Sequence, residues 1–206
     1  MKGGKGGMKQ TKFILVLFIS ILLLGIAAIS ACGFFGVGGG TERWKEEVRL
    51  SDGRIIVVER EMLREGGGGE WAHNRSLSKP KQYVIRFIAP AGSSKMIEWR
   101  SEKISYSSTW PEVPLIFDLE SGKPVVISVV YISDACEVYI KYIYQNDIWV
   151  EEKLPDRFKQ RTTNLYLGLG KGMPKFINLK TKRTENDDLG YRKSIRQVGP
   201  NRKVCG

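Results

Sequence analysis

The chain has 206 residues, of which 42% are hydrophobic and 27% are charged, and its formal net charge at pH 7 is +11. This length corresponds to a single domain that is large enough to bury a hydrophobic core. One histidine and three cysteines are too few to supply the ligand spacing of a zinc site, so we expect no metal and no cofactor.

The amino-terminal segment has the layout of an export signal. Residues 1–12 contain four lysines and no acid, and residues 13–29 are apolar apart from Ser20. A basic segment followed by an apolar run and small residues is typical of a secretory signal peptide. The apolar run is slightly shorter than the roughly 20 residues that a membrane-spanning helix needs, although its length alone leaves a plain signal anchor as the alternative.

The apolar run ends in the sequence ISAC, residues 29–32, which resembles the lipobox of bacterial lipoproteins. The resemblance implies that residues 1–31 are a signal peptide that is removed, that the Cys32 thiol receives a diacylglycerol, and that the new amino terminus is acylated with a fatty acid such as palmitate. Several acyl chains would hold the protein on a membrane, because each buried methylene contributes about 0.8 kcal/mol. Gly33 stands where aspartate favours the inner membrane, so the resemblance implies an outer-membrane lipoprotein that faces the periplasm.

The sequence from Cys32 onward divides into three parts. Residues 32–41 are rich in glycine and predict a flexible tether behind the lipidated cysteine. Residues 42–182 contain the β-rich patterns and are expected to form the folded domain, and residues 183–206 are expected to form a basic tail.

Short β-rich segments separated by turn residues run through the domain. Asp52-Gly53 lies between two such segments and predicts a hairpin within residues 44–65. The pattern predicts a mainly β protein, an antiparallel β-sandwich or a barrel-like pair of sheets with little helix. The pattern does not favour a parallel α/β fold, because no helical runs separate the strands. Further strands are predicted within residues 81–90, 94–101, 115–133, 136–155 and 175–183, with one or two helical turns after Pro155.

Two segments of the exported chain resemble known sequences. The segments RLSDGRIIVVERE, residues 49–61, and YRKSIRQVGP, residues 191–200, are similar to an uncharacterised group of proteobacterial lipoproteins. The resemblance implies a compact folded family and brings no known activity with it.

Two cysteines remain once Cys32 carries lipid. An even pair in an oxidising compartment predicts a disulfide between Cys136 and Cys205, with two separate thiols as the alternative. Closing the loop between Cys136 and Cys205 contributes roughly 4 kcal/mol to stability if the disulfide acts by restricting the unfolded chain.

Positive charge is concentrated near the carboxy terminus. Residues 171–206 hold ten Lys or Arg against three acids, whereas residues 32–170 are neutral overall. Such a segment beside a membrane can contact anionic lipid, lipopolysaccharide or acidic cell-wall polymer, or it is simply solvated. We do not expect nucleic acid as a partner, because the lipoprotein signal places the domain outside the cytoplasm. The predicted basic patch consists of Arg192, Lys193, Arg196, Arg202 and Lys203.

The single histidine is the weak candidate for catalysis. His73 lies in a glycine-rich segment close to Ser76, and a histidine can act as a general base, but no nucleophile-elbow pattern surrounds it. The carboxylates of residues 185–190 lack the ligand order of a calcium loop. Residues 168–175 contain glycine and lysine but lack the Gly-Lys-Ser/Thr ending of a phosphate loop.

The sequence therefore predicts a membrane-anchored lipoprotein of the cell envelope with a non-catalytic binding or structural role in the periplasm. Its partner would be the membrane itself, an anionic lipid or cell-wall polymer, or another protein. The alternative is a periplasmic hydrolase or modifying enzyme centred on the His73 loop.

Overall fold

The computed structural model describes residues 40–65, 79–89, 94–105, 109–133, 136–158, 160–168, 174–187 and 203–205, all within a compact unit that spans residues 38–206. Within these residues, no helix is both long enough and apolar enough to cross a membrane. A 3₁₀ turn spans Asp156–Phe158 and helix α1 spans Leu179–Asp187. The strands are β1 (Thr41–Arg49), β2 (Ile55–Glu65), β3 (Lys79–Ile88), β4 (Met96–Arg100), β5 (Val113–Glu120), β6 (Lys123–Ser133), β7 (Cys136–Gln145), β8 (Ile148–Glu152), β9 (Phe176–Ile177) and β10 (Lys203–Cys205).

The strands form two sheets that pack together as a sandwich. The first sheet has the order β4-β3-β2-β1-β9, and only β9 runs parallel to its neighbour. In the second sheet β5, β6 and β7 are consecutive antiparallel neighbours, and both β8 and β10 pair with the remaining edge of β7. The prediction of a mainly β, antiparallel sandwich with little helix is confirmed.

Tight turns close the predicted hairpins. Gly53, in the turn between β1 and β2, has a φ of +88°, and Ser121 and Gly122, between β5 and β6, have φ values of +49° and +79°. Asn146 and Asp147 also adopt positive φ between β7 and β8. Two consecutive residues with positive φ match the twist of the flanking strands, which is why such turns favour glycine and asparagine.

The core lies between the two sheets and is built from the inward-facing residues of their strands. The ring centroids of Phe87 and Phe117 lie 4.6 Å apart, and those of Trp99 and Tyr142 lie 5.8 Å apart. Each pair joins a residue of the first sheet to one of the second. Aromatic pairs at these separations stabilise beyond the area that they bury, so these pairs hold the sheets face to face.

The outer face of the first sheet carries a row of alternating charges. Arg43 and Arg86 both contact the Glu61 carboxylate, at 3.2 and 2.6 Å. Glu98 in turn accepts hydrogen bonds from Arg86 at 2.6 Å and Arg100 at 2.5 Å. These five side chains cross four adjacent strands, and we call them the charge ladder.

The predicted strand within residues 175–183 is wrong over most of its length. Only Phe176–Ile177 is extended, and helix α1 begins at Leu179. Asn178 accounts for the change, because its Oδ1 accepts the Thr181 N–H at 2.8 Å, the bond of a helix N-cap. The helix also continues across the predicted end of the domain at residue 182.

Candidate functional site

An open groove of about 990 Å³ lies where three parts of the chain meet. The first part is the end of β1 with the turn that follows it, residues 49–51. The second is the extended segment of residues 161–164, and the third is helix α1. We call this feature the basic groove.

Three cations on the basic groove are exposed and have no charged partner among the residues that the structure describes: Arg49, Lys180 and Arg183. Lys180 and Arg183 lie three residues apart on α1, so they share a face of the helix. None of the described residues that line the groove is an acid. The groove therefore has an uncompensated positive charge.

Uncharged hydrogen-bonding groups lie beside these cations. The hydroxyl-bearing residues Ser51, Thr162 and Thr184 all line the basic groove. Thr184 Oγ1 is already committed, because it donates to the Lys180 carbonyl at 3.3 Å. The groove therefore offers donors and acceptors to a ligand as well as charge.

Lys182 forms the floor of the basic groove and is occupied by the protein. Its ammonium donates to Glu46 Oε2 at 2.7 Å, to the Asn164 carbonyl at 2.7 Å and to the Glu47 carbonyl. These contacts use all three N–H donors of a lysine. Burial lowers the pKa of Lys182, and the Glu46 carboxylate opposes that shift without reversing it. Lys182 thus fixes α1 to β1 and has no donor left for a ligand.

The carboxylate below Lys182 is shared with a second buried cation. Arg60 Nη1 lies 2.5 Å from Glu46 Oε1, and both side chains are almost fully buried. The Arg60 guanidinium also lies 5.3 Å from the centroid of the Trp44 ring. The Glu46 carboxylate therefore lies between two buried cations, Arg60 and Lys182.

The half-buried Asn164 and the buried Asp118 fix the second wall of the basic groove. Asn164 Nδ2 donates to the carbonyls of Arg49 at 3.0 Å and Phe117 at 2.8 Å, and its Oδ1 accepts the Phe117 N–H at 2.9 Å. Asp118 Oδ2 pairs with Arg161 at 2.7 Å, while its Oδ1 accepts the Ser51 N–H at 3.0 Å. These bonds tie the wall to both sheets, so the groove is held open without a ligand.

The charges of helix α1 run against its dipole. Its first turn contains no acid and its last turn contains no base, although the partial positive charge of a helix lies at its N-terminus and favours anions there. Lys180, Lys182 and Arg183 instead lie in the first five residues of α1. Residues that oppose a local preference, here the preference for acids at a helix N-terminus, tend to lie at functional sites.

The structure brings the two predicted disulfide positions together. Cys136 forms a disulfide, and Cys205 is its register partner in the antiparallel pair of β7 and β10. Directly opposed residues in such a pair have Cα atoms about 4.5–5.5 Å apart, which suits a disulfide. Both observations support the predicted Cys136–Cys205 pairing.

The other predicted site residues lie mainly outside the described part of the chain. This holds for Cys32, for the His73 loop and for the basic patch apart from Lys203, whose backbone pairs with Val138. Within the described ranges, no three His, Cys, Asp or Glu side chains come together in an arrangement that would hold a metal ion.

Comparisons of the chain with protein-family models, with curated proteins and with solved structures gave no match. The geometry of the basic groove is therefore the basis for the function proposed below.

The sequence pattern did not identify the basic groove. Lys180 and Arg183 were counted with a basic carboxy-terminal segment, and Arg49 was placed in a strand. A helical reading of residues 179–187 would have put Lys180 and Arg183 on one face. No sequence signal places Arg49 in the same groove, because its position relative to Lys180 and Arg183 depends on how β1 and α1 pack.

Proposed function

We propose that the protein is a lipid-anchored lipoprotein of the bacterial envelope whose folded domain binds an anionic component of that envelope without chemically changing it. The observation that carries the proposal is the basic groove, in which Arg49, Lys180 and Arg183 are exposed and free of charged partners among the described residues. The lipobox at residues 29–32 and the glycine-rich tether of residues 32–41 support the location.

A binding role suits the side chains of the basic groove. The described lining contains cations, hydroxyls, amides and two leucines, with no carboxylate, imidazole or thiol. General acid–base and nucleophilic catalysis commonly use those three groups. Lys182, whose pKa is lowered, has all its N–H donors bonded to protein atoms. The groove is therefore built to attract a negatively charged ligand.

A membrane tether makes binding effective even if the affinity of the basic groove for its ligand is low. A binding module held at a surface meets ligands of that surface at a raised effective concentration. Uncompensated cations also speed the encounter with anions, and both effects weaken as salt screens them. A lipid-anchored domain with a basic groove would thus remain associated with acidic envelope material close to its anchor.

The test is binding of soluble polyanions to the purified full chain in neutral detergent. The probes are polygalacturonate, a polymer of carboxylates, and inorganic polyphosphate. The variant replaces Arg49, Lys180 and Arg183 with Glu. The matched control replaces three exposed lysines away from the basic groove, Lys81, Lys123 and Lys153, with Glu, which changes the net charge equally.

We expect the native chain and the control to bind at least one probe, with affinity that falls as salt rises, and the groove variant to lose about tenfold or more. An equal loss in the groove variant and the control would show that binding follows net charge alone. Either that result or the absence of binding to both probes would overturn the proposed function.

A further inference from the structure

We infer that the ligand of the basic groove is a phosphate ester that also carries hydroxyl groups, such as a phosphorylated sugar or polyol. The inference rests on the proposed function and narrows its ligand from any anion to one chemical class. It is drawn from the number of free charges, the type of donors, the uncharged lining and the size of the groove.

The number of free charges favours a phosphate over a carboxylate. Arg49, Lys180 and Arg183 supply three positive charges that no described residue neutralises. A carboxylate supplies one negative charge, whereas a phosphate monoester carries close to two at neutral pH. A bound phosphate monoester therefore neutralises more of the positive charge of the groove than a bound carboxylate does.

The types of donor point in the same direction. Two of the three cations are arginines, whose planar guanidinium can donate two parallel hydrogen bonds to phosphate oxygens. Lys180 adds a compact point charge. A phosphate monoester has three terminal oxygens and can accept from several such donors at once, whereas one carboxylate has two oxygens to share among them.

The uncharged residues that line the basic groove, together with its size, indicate a ligand that is larger than a phosphate ion. Ser51 and Thr162 bring hydroxyls beside the cations, and Leu50 and Leu179 bring apolar surface. Sugars and polyols present hydroxyls together with C–H faces and match such a lining. The volume of about 990 Å³ lies at the upper end of the roughly 300–1,000 Å³ range of small-molecule sites.

The walls of the groove are rigid enough to select among ligands. Arg161 and the backbone of Ser51 are both held by Asp118, and Asn164 ties the end of β1 to β5. A site that is formed before its ligand arrives loses less free energy to ordering on binding. The exposed cations therefore project from fixed walls around a defined space.

A phosphorylated sugar or polyol has two possible sources beside a membrane. It can be a free soluble ester or a phospholipid whose polyol headgroup carries a phosphate monoester, and the recognition chemistry is the same for both. The experiment therefore needs one arm for the class of ligand and another for its source.

The first arm measures the affinity of the full chain in neutral detergent for glucose 6-phosphate, glucuronate, glucose and inorganic phosphate. We expect glucose 6-phosphate to bind about tenfold more tightly than glucuronate and inorganic phosphate, and glucose to bind least. Arg49→Ala and Arg183→Ala should each weaken glucose 6-phosphate by about tenfold, while Lys153→Ala should leave it unchanged.

The second arm adds phospholipid, as mixed micelles in the same detergent, to the complex of the full chain with glucose 6-phosphate. Phosphatidylinositol 4-phosphate carries a phosphate monoester on its polyol headgroup, and phosphatidylcholine serves as the carrier lipid and control. Displacement of glucose 6-phosphate by micelles that contain phosphatidylinositol 4-phosphate, but not by phosphatidylcholine alone, would assign the ligand to a lipid headgroup. Retention in the presence of both lipids would assign it to a free ester, and either result supports the ligand class.

Equal affinity for glucuronate and glucose 6-phosphate would overturn the inference while leaving the proposed function intact, because the basic groove would then bind anions without regard to class. Tighter binding of inorganic phosphate than of the sugar ester would also overturn it. Loss of polyanion binding in the groove variant would still support the proposed function in both cases, so the two failures can be told apart.

Discussion

Glu46 and Arg60 form an ion pair inside the sandwich, with 2.5 Å between Glu46 Oε1 and Arg60 Nη1 and with both side chains almost fully buried. The second carboxylate oxygen accepts the Lys182 ammonium at 2.7 Å and the Tyr166 N–H at 2.8 Å. One side chain on β1 thus connects β2, helix α1 and the segment that leads into it. The wall and the floor of the basic groove depend on this connection.

Replacing Glu46 with Gln should destabilise the fold strongly. The change leaves Arg60 and Lys182 buried without a compensating charge, which typically costs about 3–5 kcal/mol. The free energy of unfolding, measured by urea titration of the full chain, should fall by that amount. Glu59→Gln is the matched control, because Glu59 pairs with Lys45 on the surface and should cost no more than about 1 kcal/mol. Similar losses in the two variants would contradict the prediction.

Because of the charge ladder, the stability of the fold should decrease as the pH becomes acidic. Burial acts to raise the pKa of Glu61, but hydrogen bonds from Arg43 and Arg86 lower it further than burial raises it, so the pKa lies below its usual value of 4.5. A depressed pKa in the folded state means that the unfolded chain binds the proton more tightly. The contribution of Glu61 is therefore complete above pH 4.5 and is lost as the pH falls through the folded-state pKa.

The measurement is the free energy of unfolding of the full chain between neutral and acid pH. Glu61→Gln should lower stability at neutral pH and flatten the decline below pH 4.5, because the variant has no proton to take up at this position. Glu65→Gln serves as the control, because Glu65 pairs with Lys79 at the end of the sheet and lies outside the charge ladder. If the free energy of unfolding of Glu61→Gln falls as steeply below pH 4.5 as that of the native chain, the predicted contribution of Glu61 is wrong.

Local signals explain which parts of the fold could be predicted. The hairpin turns at Asp52-Gly53 and Ser121-Gly122 each contain a glycine with positive φ, a conformation that glycine adopts at no steric cost, so a short stretch of sequence was sufficient to predict them. Helix α1 was missed because residues 175–183 contain β-compatible residues, and its start depends on the cap formed by Asn178. The basic groove could not be predicted, since it requires β1 and α1, which are distant in the sequence, to pack together.

Removing the cap of α1 should weaken the helix and the basic groove together. Asn178→Ala deletes the acceptor of the Thr181 N–H and should lower the free energy of unfolding by about 1 kcal/mol. Asn178→Asp keeps an acceptor at the N-cap and should restore stability. If the groove binds anions, Asn178→Ala should also weaken that binding, because Lys180 and Arg183 are positioned by the first turns of α1. Unchanged stability in Asn178→Ala would contradict the capping role.

The proposed lipid anchor at Cys32 predicts a specific labelling result. Cells that express the full chain should incorporate labelled palmitate into it, and Cys32→Ala should abolish the label because the thiol that would receive the diacylglycerol is gone. Cys136→Ala, which removes a cysteine of the folded domain, should retain the label. A Cys32→Ala chain that is still labelled and processed normally would exclude lipidation at this residue.

The disulfide should decide whether the carboxy-terminal tail is held against the second sheet. Cys136 is disulfide-bonded and stands opposite Cys205, while Lys203 pairs with Val138 at the other end of the same three-residue ladder. Such a short strand contributes few backbone hydrogen bonds, so we expect the covalent bond to supply most of the attachment. If the protein is exported and Cys32 carries lipid as proposed, the native chain should show no titratable thiol until it is reduced.

Trypsin digestion measures the attachment directly. Reduction, or Cys205→Ser, should make the lysines and arginines of residues 192–203 sensitive to cleavage, because a strand that frays from β7 exposes its backbone to the protease. Cys32→Ser, with Cys136 and Cys205 intact, should leave the tail protected. Rapid cleavage of the unreduced native chain within residues 192–203, or a disulfide that joins Cys136 to a second molecule, would show that the tail is not fixed by the predicted pair.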